Sequence, residues 1–179
     1  MATYEVLVFP DDRLRKHAKD VTVFDDELKQ LVADMFETMY QHEGVGLAAP
    51  QIGISKRLVV IDPQRQDEQG NVIHDQLVLV NPEIFDKQGE ETAQEGCLSV
   101  PGYYENVTRA SEIDVRYQDL DGRVIEMHAD GFLAICIQHE VDHLFGHLFI
   151  DYLSSMKRQR IEKKIAQKQR DAKHQQNHK

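Results

Sequence analysis

Residues 131–145, GFLAICIQHEVDHLF, are the most apolar stretch of the chain with helical spacing, yet they carry two histidines and a glutamate. A helix bearing Phe132, Leu133, Ile135 and Ile137 must bury much of its surface. Polar side chains taken inside with it need partners, since each unpaired one costs roughly 1–3 kcal/mol or more. The rest of the chain must therefore wrap around this segment and leave His139, Glu140 and His143 satisfied. Gly146 is a natural stop for the helix.

At about 100° per residue, His139 and His143 lie one turn apart and differ by about 40° in direction. Two imidazoles so related can bind one metal ion. Glu140 projects from the flank of the same face, where it can reach a metal-bound water without being a ligand. The pattern His-Glu-x-x-His also suits a solvated helix face in a chain with nine histidines. The apolar surroundings weigh against that reading.

A catalytic metal site needs a third protein ligand and an open position. Cys136 sits about five residues before the midpoint of the histidine pair, or about 7.5 Å along the axis, against a metal–sulfur bond of about 2.3 Å. It is expected as a buried wall residue. His147 lies one turn beyond His143 but past Gly146. Cys97, within EGCLS (95–99), remains as a candidate, although on the residues alone a buried structural thiol is the favoured reading.

Elsewhere, DDELKQLVADMFETMYQH (25–42) places Leu28, Leu31, Val32, Met35, Phe36 and Met39 at helical spacing behind an Asp25 or Asp26 cap. Strands are expected at 57–62, 76–80, 111–118 and 124–128, the last two joined by a turn at 119–122. The stretches 44–53 and 94–102, rich in Gly, Ala and Pro, read as irregular. A final helix is expected from Ser154 to about Arg170, fraying into QQNHK. A run of strands followed by a helix that must pack on them indicates an α+β fold: antiparallel sheets around a central metal-binding helix, with an N-terminal helix and a basic C-terminal one.

No run approaches the roughly 18 apolar residues that cross a bilayer. The N-terminus lacks the pattern of a cleaved leader, so a cytoplasmic protein with two reduced cysteines is expected. The net charge of -10 is uneven. Residues 154–179 hold nine Lys/Arg against Glu162 and Asp171, a net +7, which leaves -17 on residues 1–153. The expected organisation is a single catalytic domain over 1–153 and a basic helical extension over 154–179, whose charge suits nucleic acid where the body repels it.

GVGLAAPQ (44–51), EGCLS (95–99) and QHEVDH (138–143) resemble the three signature motifs of bacterial peptide deformylases, in the same order and at similar separations. The likeness extends from VLVFPDDRLR (6–15) to LFIDYL (148–153). It implies that Cys97, His139 and His143 bind one divalent metal, most often ferrous iron (Fe2+), with zinc, nickel or cobalt able to replace it, and with water as fourth ligand. It implies hydrolysis of the N-formyl group from the starting methionine of new polypeptides. Glu140 would then be general base and acid. The Gln51 side-chain amide and the Leu98 backbone N–H would stabilise the oxyanion with the metal. Gly46 would hydrogen-bond the extended peptide, and Val45, Phe132, Ile135 and Cys136 would wall the methionine pocket over His139. Asp142 faces away from the histidine pair and is expected to make a structural ion pair with Arg109. Many members carry an arginine where Tyr104 stands, so peptide length and affinity fall outside what the resemblance implies. The substrate also implies a role for the tail in docking on ribosomal RNA, on an enzyme otherwise monomeric and free of membrane. Truncation after Leu153 is expected to spare hydrolysis of short formyl-peptides and weaken ribosome binding. The rival readings are a metalloendopeptidase and a structural metal module that binds RNA.

Overall fold

The computed structural model describes residues 2–176. Helix α1 (Asp26–Gln41) begins where the Asp25 carboxylate accepts from Leu28 N at 3.0 Å, and it buries the six apolar residues that its period predicts. Strands β1 (Gly46–Ala48), β2 (Leu58–Ile61), β3 (Arg65–Gln66), β4 (Val72–Ile73), β5 (Leu77–Gln88), β6 (Glu91–Cys97), β7 (Val100–Arg109), β8 (Glu112–Gln118) and β9 (Val124–Asp130) follow. Helix α2 (Gly131–His143) and helix α3 (Ser155–Gln176) complete the order.

The main sheet runs β1-β2-β5-β8-β9, with β6–β7 and β3–β4 as separate hairpins, and every paired strand is antiparallel. Strand β2 reads LVVI because both of its faces are covered. Leu58 and Val60 join the α1 core with Leu28, Met35 and Leu47. Val59 and Ile61 join the α2 core with Ala134, Ile137 and Val141. Period-2 alternation thus clamps the sheet between two helices, each fully buried aliphatic side chain contributing about 1.5–3 kcal/mol relative to exposure. The α+β expectation holds, as mixed helix and antiparallel sheet.

Two stretches expected to be irregular are regular. Residues 46–48 form β1, followed by a 3-10 turn over Ala49–Ile52. Residues 94–102 are the end of β6, a two-residue turn and the start of β7. Glycine inside them serves close approach: a Cβ on Gly46 would lie 2.7 Å from Glu140 Oε1, and one on Gly96 would lie 2.5 Å from the Tyr104 ring. Helix α2 ends at His143 rather than Phe145, and the chain turns at Gly146 with φ +78°.

Helix α3 runs past the expected limit at Arg170 to Gln176; the remaining part of the expected frayed end, 177–179, lies outside the described residues. Its Ile161 and Ile165 are buried with Val100, Val107, Phe149 and Ile150. Truncation after Leu153 would uncover that cluster, so the extension contributes to the body's stability as well as its charge.

Candidate metal centre

Three elements converge at the open face of α2. Helix α2 carries His139, Glu140 and His143; the last residue of β6 is Cys97; the 3-10 turn after β1 carries Gln51. The N-terminal segment, which belongs to no strand, braces the two turns from behind, with Leu7 N donating to Gln51 O at 2.7 Å and Phe9 N to Ser99 O at 2.8 Å.

One ligand atom each from Cys97, His139 and His143 lies within 4.8 Å of the others, and Cys97 Sγ is 3.5 Å from His143 Nε2. Bonds of about 2.0–2.3 Å to one tetrahedral ion would set such atoms roughly 3.3–3.8 Å apart, so small side-chain rotations suffice. His139 Nδ1 donates to Glu95 Oε1 at 2.8 Å, which fixes the tautomer that leaves Nε2 for a cation. Burial, then the neighbouring His139, hold His143 well below its ordinary pKa, in the neutral form that ligates. Burial also opposes a proton on His139, but its contacts with Cys97 and Glu95 outweigh this and hold it well above its usual value. A cation at the three ligand atoms would take the place of that proton. The donor set therefore fits a divalent metal.

Glu140 stands beside this group. Its Oε1 is 4.0 Å from His139 Nε2, while its Oε2 is buried with no hydrogen-bond partner among the described residues. Burial pushes the carboxyl up to about 7. Gln51 is almost fully buried. Its Oε1 accepts from Ala48 N at 2.9 Å, and its Nε2 donates to Ser99 Oγ at 3.0 Å and faces Cys97 Sγ at 3.5 Å. The anchored carbonyl oxygen orients the amide nitrogen towards the metal group.

Cys97, His139, Glu140 and Gln51 open onto one cavity of about 600 Å3, with Val45, Gly46, Leu98, Phe132, Ile135 and Cys136 along it, whereas His143 is not among its lining residues. Phe132, expected inside, is 56% exposed, because it sits in the first turn of α2 at the cavity mouth. Cys136 is outside the metal group, and burial pushes its thiol up to about 12, so it is a protonated wall residue. His147 is exposed, 3.9 Å from Asp151, and is not part of the site. Tyr104 lies 65% exposed at the rim.

Beneath the histidines runs a buried charged network. Arg109 Nε and Nη2 donate to the two oxygens of Glu95 at 2.7 and 2.9 Å, and Nη1 donates to Asp142 Oδ2 at 2.8 Å. Tyr152 Oη donates to the same Asp142 oxygen at 2.7 Å. The Arg109–Asp142 pair was legible in the sequence; Glu95 and Ser99 were missed. Glu95 is two residues before Cys97 on an extended strand, so it points to the same side.

Among the described residues, no helix is long and apolar enough to cross a membrane. Residues 3–159 match the family model described as polypeptide deformylase. The chain is 50% identical to the peptide deformylase of Alkalilimnicola ehrlichii, over 92% of this chain and 90% of that protein. Its structure is similar to that of the Legionella pneumophila peptide deformylase, with a TM-score of 0.84 at 48% identity, covering 94% of this chain and 96% of the other. It is also similar to the actinonin complex of the Ehrlichia chaffeensis peptide deformylase, with a TM-score of 0.87 at 39% identity, covering 95% and 99%. A cysteine and two histidines around a buried glutamate, on a scaffold that matches these proteins nearly end to end, leave one assignment: the chain belongs to the polypeptide deformylase family.

Proposed function

We propose that the chain hydrolyses the N-formyl amide of formyl-methionine at the start of new polypeptides, releasing formate and a free amine. The observation that carries the reading is the Cys97, His139 and His143 group beside the buried Glu140 carboxylate, at the end of a cavity wide enough for a methionine side chain. Cys97, His139 and His143 would hold ferrous iron, with zinc, nickel or cobalt as substitutes, since a thiolate and two imidazoles do not select one metal. When bound there, the cation would supply Lewis acidity to the reacting groups. Glu140 takes the proton of the attacking water and returns it to the leaving amine. The Gln51 amide nitrogen and the Leu98 backbone N–H donate to the developing oxyanion. Val45, Phe132, Ile135 and Cys136 enclose the methionine side chain, and the Gly46 backbone pairs with the extended peptide.

Oxygen-free protein supplied with iron should release formate from formyl-Met-Ala-Ser and leave unformylated Met-Ala-Ser intact. Cleavage of the unformylated peptide, or no formate at all, would remove the reading. Exclusion of oxygen matters because Cys97 and iron both oxidise.

The division into a catalytic unit over 1–153 and a basic extension over 154–179 belongs to the same proposal, as do a monomeric state and a cytoplasmic setting. The extension docks on ribosomal RNA through its exposed cations. Because Ile161 and Ile165 are buried, charge exchange tests this better than truncation. Replacing Lys163, Lys164 and Arg170, all exposed, with glutamate should reduce ribosome co-sedimentation at low salt and flatten its salt dependence. Formate release from the short peptide should persist, and unchanged co-sedimentation would rule out docking by this face.

A further inference from the structure

A second cavity of about 450 Å3 lies behind one thin segment of the substrate cleft, lined by Tyr40, Asp62, Pro63, Gln64 and His74. Glu43, Gly44 and Val45 line both cavities. A wall with open space on two sides is held less by packing than by hydrogen bonds at its ends.

Asp62 reaches this wall twice. Before the wall, Tyr40 Oη donates to Asp62 Oδ2. Within it, Asp62 N donates to Val45 O at 2.8 Å, beside the ladder that pairs Gly46 with Ile61. The Asp62 side chain is wholly buried. Its Oδ1 accepts from Gln64 N at 3.0 Å and Asp75 N at 2.9 Å, and its Oδ2 also accepts from His74 Nδ1 at 2.8 Å. With four donors around it, this carboxylate cannot turn without breaking bonds, so it is a fixed post. The wall it pins leads directly to Gly46, whose backbone lies against the Glu140 carboxylate. A displacement of a few tenths of an ångström at 43–46 alters the width of the cleft beside the reacting group.

We propose that Asp62, acting with Tyr40, is a positioning residue that sets the 43–46 wall of the cleft at the distance where an extended peptide binds. It rests on the deformylase reading and adds that the wall is held by a carboxylate outside the active site.

Tyr40→Phe deletes one hydroxyl and keeps the ring that stacks on Phe36 at 6.1 Å. For formyl-Met-Ala-Ser it should raise KM about fivefold, the equilibrium worth of one buried hydrogen bond. Its kcat should stay within about twofold of the parent, because the loss is in uniform binding. For formyl-methionine alone, which meets the wall only at Val45 through its side chain, kcat/KM should fall less than for the tripeptide. Asp62→Ala should raise the tripeptide KM further; if that variant does not fold, Tyr40→Phe decides. A Tyr40→Phe protein with a lower Tm but an unchanged tripeptide KM would make the pair merely structural and overturn the proposal. Absence of formate from the unaltered protein with either substrate would instead mark failure of the deformylase reading.

Discussion

Glu140→Gln should lower kcat for formyl-Met-Ala-Ser by about 10²–10⁴-fold, the usual contribution of a positioned general base and acid. Metal stoichiometry should not change. Glutamine has nearly the shape of glutamate, so it fits against the Gly46 backbone, where little extra volume is tolerated. It removes only the group that accepts the water's proton. The ligand atoms of Cys97, His139 and His143 are untouched, and the Glu95 contact that orients His139 stays in place. KM should move little, because the substrate wall and pocket are intact. Burial raises the Glu140 carboxyl to about 7, and the base form acts, so kcat/KM in the unaltered enzyme should climb with pH up to about 7 at most. A neighbouring dication draws that limb lower. Glu140→Gln should flatten the limb as well as lower the rate. Full activity in a metal-replete variant would assign the proton transfer to another group.

What the sequence revealed, and what it concealed, follows from the range of the interactions involved. The relation of His139, Glu140 and His143 is set within one helical turn, so spacing alone fixes it. The apolar faces of α1 and β2 were legible for the same reason: burial follows a local period. Strand β1 and the β6–β7 hairpin were hidden because their glycines look like loop composition. Those glycines are there because Glu140 and Tyr104 press on the backbone from elements that are distant or follow later. Strand β5 is 12 residues long although Asn81 and Asp86 have positive φ and its ladder with β8 is bulged. Its last eight residues, NPEIFDKQ, carry no alternation that predicts a strand. Glu95 shows the limit most sharply. Its contact with His139 spans 44 positions, and no local pattern marks a carboxylate as the partner of a ligand. The family resemblance supplied Cys97 and Gln51, but it did not supply the groups that hold them.

Arg109→Met should cost about 3–5 kcal/mol of stability, the usual penalty for removing one partner from a buried ionic cluster. In a chain of this length that corresponds to a Tm lower by roughly 6–20 °C. The arginine is buried between Glu95 and Asp142 and lies 4.8 Å over the Tyr152 ring. Burial by itself favours a neutral Glu95, yet hydrogen bonds from His139 and Arg109 hold its carboxyl below the usual value. Without the guanidinium, a carboxylate with 5% of its side chain exposed keeps only His139 as a strong partner. It must then take up a proton or pull the imidazole out of line. The second response reaches the ligand set, because the tautomer and direction of His139 depend on that carboxylate. Metal affinity should therefore fall about 10–100-fold along with Tm, which a competition titration against a chelator would read. Replacing Glu95 and Arg109 together by leucine should recover part of the lost stability, since the uncompensated charge is gone, but none of the metal affinity. A double variant no more stable than Arg109→Met would show that the network acts by packing rather than by charge.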